Sequence, residues 1–361
     1  MNRRLLVQAS NRITATLNTY KKYRIDFLRE LDSKKYNFVD KKYGNEAYES
    51  YKDNQLYGNG SLYRYAHQLE ADKDLHVLIP HGFAPGSVVW SKELLARLPI
   101  ACFSDYVKLK YSRVANKYNI KVELFSSIHP FKSLLEKVDI ITESIRDNDS
   151  SFMEEAIYFP LHSTKAVAAS IHASIDKAKS KLEILRTKYN HINLCIYYID
   201  YLNLVKAGQW ESYSSEFNKV YCCGSRYEPA FLVNLALILK DHKCLITEGL
   251  GSHIFFGSMA KIDLHLLKLD QSNNSYAFND SSKSIRNDHK ARQSNIDALA
   301  ELHHILDNQE ENREIIINRY INHFLTKDEQ KDEKKYIGTG KSELHQAFLP
   351  EFDSKMYPLI Y

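Results

Sequence analysis

Four short segments of this chain carry side chains that could do chemistry, and each follows an apolar run. His81-Gly82-Phe83 comes after His76–Ile79. An imidazole there, with an unperturbed pKa of about 6.5, suits acceptance of a proton from an attacking hydroxyl. His162-Ser163-Thr164 follows Ala156–Pro160 and offers a ring and two hydroxyls to a ligand. Gly224-Ser225-Arg226 ends in a guanidinium whose planar fork of donors matches a phosphate. The fourth is the turn Thr247-Glu248-Gly249-Leu250-Gly251-Ser252-His253. There a strand, a glycine turn and a helix start combine as an anion cradle. Backbone N–H groups at a helix start have no intrahelical partner, and small residues let a phosphate approach them. Ser252 is the candidate phosphate-contacting hydroxyl, His253 a second donor, and Glu248 an acceptor for sugar hydroxyls. Asp105, after the run Pro99–Phe103, rivals His81 as the base.

Every one of these residues has a plain structural role open to it as well. His81 can bond within its own loop. Asp105, Ser163, Thr164, Glu248 and Ser252 can cap the helices that follow them, and Arg226 can pair with Glu228.

Positioning such loops requires strands alternating with helices. Strand signals lie at His76–Ile79, Pro99–Phe103, Ile120–Phe125, Ala156–Pro160, Ile192–Ile199, Val220–Cys223, Cys244–Ile246 and Ile262–Leu267. Helical spacing appears between them, at Ser91–Leu98, Tyr106–Tyr118, a stretch reaching Val138–Thr142, Lys165–Tyr189, Pro229–Lys240 and Ile254–Ala260. Alternation of this kind, with polar residues at strand carboxyl ends, is the mark of doubly wound α/β domains. Thr14–Leu31 reads as a helix, whereas Lys34–Tyr65 has no clear period and contains the turn Tyr57-Gly-Asn-Gly. The polar, charged stretch Arg146–Ser151 marks a domain boundary. It divides the chain into residues 1–150, with a helical extension over 1–75, and residues 151–325; a tail over 326–361 packs back. Asn273–Gln293 reads as a polar insert, and Ser294–Asp307 and Asn312–Thr326 as amphipathic helices.

Composition excludes several classes. The 361 residues suit two domains better than one core. A formal charge of +4 falls far short of the clustered excess of a nucleic-acid binder. Five cysteines at spacings without CxxC suggest reduced, buried thiols rather than zinc ligands or a disulfide framework. The start lacks the apolar core of a signal peptide, and no run approaches the roughly 20 apolar residues of a membrane span. A cytoplasmic location is expected, with the basic start Asn2–Arg12 available for peripheral contact with the inner face of the membrane. No Walker A, GxGxxG, GxSxG, HExxH or DxD pattern is present, so neither metal nor cofactor is expected.

The loops IPHGF (79–83) and ITEGLGSHIFF (246–256) resemble those of bacterial GT-B glycosyltransferases. The likeness spans residues 75–270 and is closest to enzymes of cell-surface polysaccharide synthesis, among them capsule transferases for ulosonic acids and polyol-phosphate polymerases of the teichoic-acid type. In the latter, a strand ending in Thr-Asp precedes paired serines that contact the donor phosphate. Here Thr247-Glu248 and Gly251-Ser252 stand at those positions, so a glutamate replaces the aspartate and a glycine the first serine. The resemblance implies a GT-B-like α/β fold with two Rossmann-like domains facing a central cleft. It implies metal-independent transfer from a nucleotide sugar to a glycan hydroxyl, with His81 as base. Arg226, Ser252 and the helix start would stabilise the leaving phosphate. His162, Ser163, Thr164, Ser225, Glu248, Gly249, Gly251 and His253 would complete the donor side, and Gly82 and Phe83 the acceptor side. A CMP-linked ulosonic acid is the favoured donor, because one leaving phosphate needs only a small cradle. The alternatives are a CDP-polyol phosphotransferase and a non-catalytic nucleotide- or glycan-binding protein of polysaccharide assembly.

Overall fold

A computed structural model describes residues 51–69, 73–80, 82–83, 89–146, 155–161, 167–169, 171–197, 200, 216–224, 226, 231–268, 276–278, 297–307 and 313–325. The expected helix Thr14–Leu31, the boundary residues 147–151, the tail over 326–361, the residues His81, His162, Ser163, Thr164 and Ser225, and most of the polar insert lie outside them.

The protein is α/β, with two parallel sheets. In the first, strand β1 (Ile100–Cys102) pairs in parallel with β2 (Leu124–Ser126), and Leu78 bridges Ile100 in parallel on the other side. The free flank of the 77–79 segment is closed by a side chain. Asn54 Nδ2 donates to the Val77 carbonyl at 2.7 Å, and its Oδ1 accepts from the Ile79 N–H at 2.9 Å. One amide thereby does the work of a neighbouring strand. Asn54 sits in a 3-10 helix (Lys52–Gly58) that runs into α1 (Asn59–Ala66). The two meet where Tyr57 and Gly58 take left-handed φ values of 60° and 75°, so the Tyr57-Gly-Asn-Gly turn is a helix junction.

Three more helices follow. α2 (Ser91–Leu95) is short, and α3 (Asp105–Lys117) begins after Ser104, whose hydroxyl accepts from the Val107 N–H at 3.2 Å. The N-cap is therefore Ser104 and not Asp105, which sits in the first turn where a carboxylate suits the helix dipole. α4 (Pro130–Arg146) opens on a proline, which loses nothing by lacking an N–H there. His129 Nδ1 takes the next donor, the Phe131 N–H, at 3.1 Å.

The second sheet contains β3 (Glu155–Phe159), β5 (His191–Cys195), β6 (Val220–Tyr221), β7 (Cys244–Thr247) and β8 (Asp263–Leu266), all parallel. Their spatial order is β6-β5-β3-β7-β8. Counted along this sheet alone, that is the 3-2-1-4-5 order of a doubly wound fold, whose direction of winding reverses between its first and fourth strands. Strand alternation divides the core. Ala156, Tyr158, Ile192, Leu194, Cys244 and Ile246 face one way, against α5 (Ile171–Leu185) through Ile175, Ala178 and Leu182. Ile157, Phe159, Leu245 and Leu264 face the other, against α6 (Phe231–Lys240) and α7 (Ser252–Met259). Helix α4, contributed by the first half, packs there too through Phe131, Leu134, Leu135 and Val138. Enclosure by sheet and helices explains why α6 is apolar on every side and buried from Leu232 to Leu239. Gly257 lets α7 lie close to β8: a Cβ there would come within 2.9 Å of Leu264 Cδ2.

One expectation needs correction. The stretch Lys165–Tyr189 is not one helix, since Val167–Ala169 forms a strand, β4, antiparallel to β9 (Tyr276–Phe278). A partner more than a hundred residues away decided that local choice, and helical spacing could not register it. Helix α8 (297–307) and α9 (Arg313–Leu325) complete the described chain. α9 touches α3 of the first half as well as α7 and β8 of the second, so it ties the halves together. All five cysteines are buried and none is disulfide-bonded. Among the described residues, no helix is long and apolar enough to cross a membrane.

Substituting Asn54 by alanine leaves a buried carbonyl and a buried N–H without their partners. We expect a loss of about 2 kcal/mol in urea unfolding. A variant as stable as the parent would show that the edge is closed by something else.

Candidate functional site

A cavity of about 290 Å³ opens between the two sheets. From the second half it is lined by residues at strand carboxyl ends: Phe159 and Pro160 after β3, Cys195 to Tyr197 after β5, Cys223 after β6, and Ser252 and His253 beyond β7. β3 and β7 are the adjacent strands between which the winding reverses, and that crevice is where doubly wound sheets hold ligands. The first half contributes Pro80, Gly82 and Phe83, just past the 77–79 segment that bridges β1, together with Tyr57 and a group on α2 and α3. Strand ends of both sheets thus meet at one space.

The wall is held shut by a clasp between the halves. The Phe83 N–H donates to Ser252 Oγ at 3.0 Å, and that hydroxyl lies 3.4 Å from the Phe83 carbonyl, to which it donates. The Phe83 ring is stacked on His129 at 4.9 Å and on Phe255 at 5.0 Å, with Phe256 edge-on at 5.8 Å. Burial pushes the His129 imidazole down to about 3, so it stays neutral and keeps accepting from Phe131 at ordinary pH. Gly82 permits the contact, because a Cβ there would stand 2.7 Å from Ser252 Oγ.

The structure brings some of the sequence candidates together and separates others. Gly82, Phe83, Ser252 and His253 line the cavity. His253 is fixed there, with Nε2 2.7 Å from Thr247 Oγ1 and its ring parallel to Phe159 at 5.2 Å. Gly251 is the N-cap of α7 and supplies no side-chain cap, leaving the first N–H groups of that helix to the loop or a ligand. His81 lies outside the described residues, but Pro80 and Gly82 on either side of it both reach the cavity. Asp105 and Arg226 are not among the lining residues; the Arg226 carbonyl accepts from the Tyr57 N–H at 2.6 Å.

Glu248 points into the protein. Its Oε1 accepts from the Tyr158 hydroxyl at 3.0 Å and the Leu161 N–H at 2.9 Å, and Ser174 donates to the same oxygen. It therefore ties the end of β7 to the end of β3 and the start of α5. Burial raises its carboxyl to about 7, against the lowering effect of the Leu161 and Tyr158 donors and the Lys177 charge. Gly249 lies beneath Leu161, where a Cβ would approach Leu161 Cδ2 to 3.1 Å. This half of the glycine turn builds the floor of the loop, and the other half faces the cavity.

The reading of strand-end loops missed a group on helices. Glu93 of α2, only 2% exposed, accepts a hydrogen bond of 2.5 Å from the Tyr111 hydroxyl of α3. Glu93, Tyr111, Trp90 and Lys110 all line the cavity. Burial raises the Glu93 carboxyl and lowers the half-buried Lys110 ammonium to about 8. An acid on the buried face of a short helix was the available signal, since Glu93 follows Ser91 and precedes Leu94-Leu95. Comparison with family models, curated proteins and solved structures finds no match to this chain.

Two measurements probe this geometry. Because the Glu248 carboxyl is raised from 4.5 to about 7, it favours the folded state below the lower value, and that contribution is lost as pH rises through the higher one. Glu248→Gln keeps an oxygen for the three donors. It should flatten the stability profile by up to about 3 kcal/mol over that window and be the more stable protein at pH 8. A difference between the two proteins that does not vary with pH would contradict the raised carboxyl. Separately, Gly82→Ala and Ser252→Ala should each cost about 1 kcal/mol, and the double variant clearly less than their sum. Strict additivity would mean the clasp is not formed.

Proposed function

We propose that this protein is a GT-B-like glycosyltransferase: it moves a sugar from a nucleotide sugar to a glycan hydroxyl in bacterial surface polysaccharide synthesis. The observation that carries the proposal is the cavity at the carboxyl ends of strands from two parallel sheets, placed where the winding of the second sheet reverses. Nucleotide ligands of doubly wound sheets sit at that position. The volume admits part of a small ligand, and its walls mix aromatic faces with a few polar groups.

In this reading the donor lies against the second half. The start of α7, with Ser252 and His253, faces the leaving phosphate, and no metal is required because fixed N–H and side-chain donors meet the charge as it develops. Pro80 to Phe83, with His81 among them, approach from the acceptor side. CMP-ulosonic acids remain the favoured donors, and the acceptor is a glycan carried at the inner face of the membrane, where Asn2–Arg12 could add peripheral contact.

Thermal shift against CMP, CDP, UDP and GDP tests the reading directly. A nucleotide that fits should stabilise the native state by about 2.7 kcal/mol at a hundredfold excess over its Kd, a rise of several degrees in Tm. If none of the four moves Tm at millimolar concentration, the proposal is wrong.

A further inference from the structure

The sequence loops name His81 as the base, yet the cavity wall of the first half presents a different acid–base group. Glu93 is buried at that wall and its Oε2 is held by Tyr111 at 2.5 Å. Trp90 and Lys110 complete the same stretch of wall. A carboxylate is costly to place in a dry interior unless its site is put to use or it is fully paired. The charged and titratable groups around Glu93 are few. Tyr111 and Lys110 come from α3 and Lys92 from its own helix, while Cys102 of β1 and Tyr51 stand beside Tyr111.

We propose that Trp90, Glu93, Lys110 and Tyr111 form the subsite for the acceptor hydroxyl, with Glu93 taking its proton. This rests on the glycosyl-transfer reading. The Trp90 ring offers an apolar face of the kind on which sugar rings lie. The acceptor oxygen attacks the anomeric carbon and the O–H bond breaks, with its proton passing to Glu93. The bond from the anomeric carbon to the phosphate oxygen breaks in the same step, and its electron pair leaves on the nucleotide. Tyr111 positions the carboxylate through its hydroxyl. Lys110, half-buried between the cavity and the surface, gives the proton a way out to solvent.

Burial supports the role, since it raises the Glu93 carboxyl toward the range in which a base works well near neutral pH. The Tyr111 hydrogen bond and the two lysines pull the other way. Removing the Tyr111 hydroxyl should therefore move the titration of Glu93 upward.

The full-length protein would be assayed for nucleotide release from CMP-N-acetylneuraminate, UDP-glucose and GDP-mannose, with water or added glycan as acceptor, alongside thermal shift by the matching nucleotide. Glu93→Gln keeps an oxygen for Tyr111. It should lower release by about 100-fold or more while the nucleotide shift is unchanged. Glu93→Asp should recover part of the loss. Tyr111→Phe should lower release less than Glu93→Gln does and move the acid limb of the pH–rate profile to higher pH, an effect that loss of packing alone would not give. Wild-type release in Glu93→Gln overturns the assignment and returns the role to His81. Loss of release together with the nucleotide shift marks Glu93 as structural and overturns it as well. A wild-type protein that binds nucleotide yet releases none from any of the three donors counts against a base in this cavity. Absence of any nucleotide shift in the wild type overturns the transfer reading itself, and this subsite falls with it.

Discussion

The insertion of Phe83 between His129 and Phe255, with its N–H on Ser252, is the contact on which the cavity depends. It joins the first strand-end loop of one half to the first turn of α7 in the other. Offset aromatic stacking contributes about 0.5–1.5 kcal/mol per pair beyond burial, and the hydrogen bond about 1 kcal/mol. Those amounts are modest, but their position is decisive. Without the clasp, the Gly82 loop would not be held against the start of α7, and this wall of the cavity would lose its shape. A neutral His129 is part of the same constraint, because a charged imidazole among the rings of Phe83, Phe103 and Phe256 would have to be hydrated. Helices α4 and α9 add the bulk of the burial that keeps the halves in register.

Buried polar groups divide between the two ends of the second sheet. At the amino ends, Asn193 Nδ2 donates to Glu155 at 2.6 Å and lies 2.8 Å from His242 Nε2, whose Nδ1 is 2.6 Å from the Ile238 carbonyl. Lys219 answers the Glu155 charge at 3.4 Å. Burial holds His242 down at about 4, so the network is built around a neutral ring and one compensated charge. It joins β3, β5 and α6 away from the cavity between the sheets and reads as architecture. Around the cavity, where Glu93 of α2 faces the carboxyl ends of the second sheet, the compensation is thinner. Glu248 and Glu93 are both raised by burial, and their partners only partly offset it. The first is enclosed by Tyr158, Leu161 and Ser174, so its strain serves the loop. The second stands at the cavity, where the same strain can serve a substrate.

Much of the scaffold was legible in the residues. Short apolar runs separated by helical spacing placed β1, β3, β7 and β8 to within a residue of their ends, because a strand buried on both faces is uniformly apolar, while the run Ile192–Ile199 overshot the end of β5 by four residues. The cues failed where pairing overrode local preference. Val167–Ala169 has the small residues of a helix and became a strand through β9, and Ile120–Phe125 shortened to Leu124–Ser126 because only that part reaches β1. In the Tyr-rich segment, the described residues 51–65 include one amide, Asn54, that closes a sheet edge and a left-handed junction at Tyr57, neither of which leaves a period in the sequence.

The amino-acid sequence by itself determined the α/β class, the glycine turn before α7 and the nearness of the Gly82 loop to a strand end, all of which follow from local pattern. It could not determine which acids would face a ligand. Glu248 and Glu93 are the same residue type. One accepts three hydrogen bonds beneath a loop, and the other lines the cavity, because of which helices and strands pack beside them. Burial and electrostatic partners are properties of neighbours distant in the chain: Tyr111 for Glu93, Tyr158 and Ser174 for Glu248. Only the tertiary structure brings them within range, and with them it sets the charge and reach of each carboxylate.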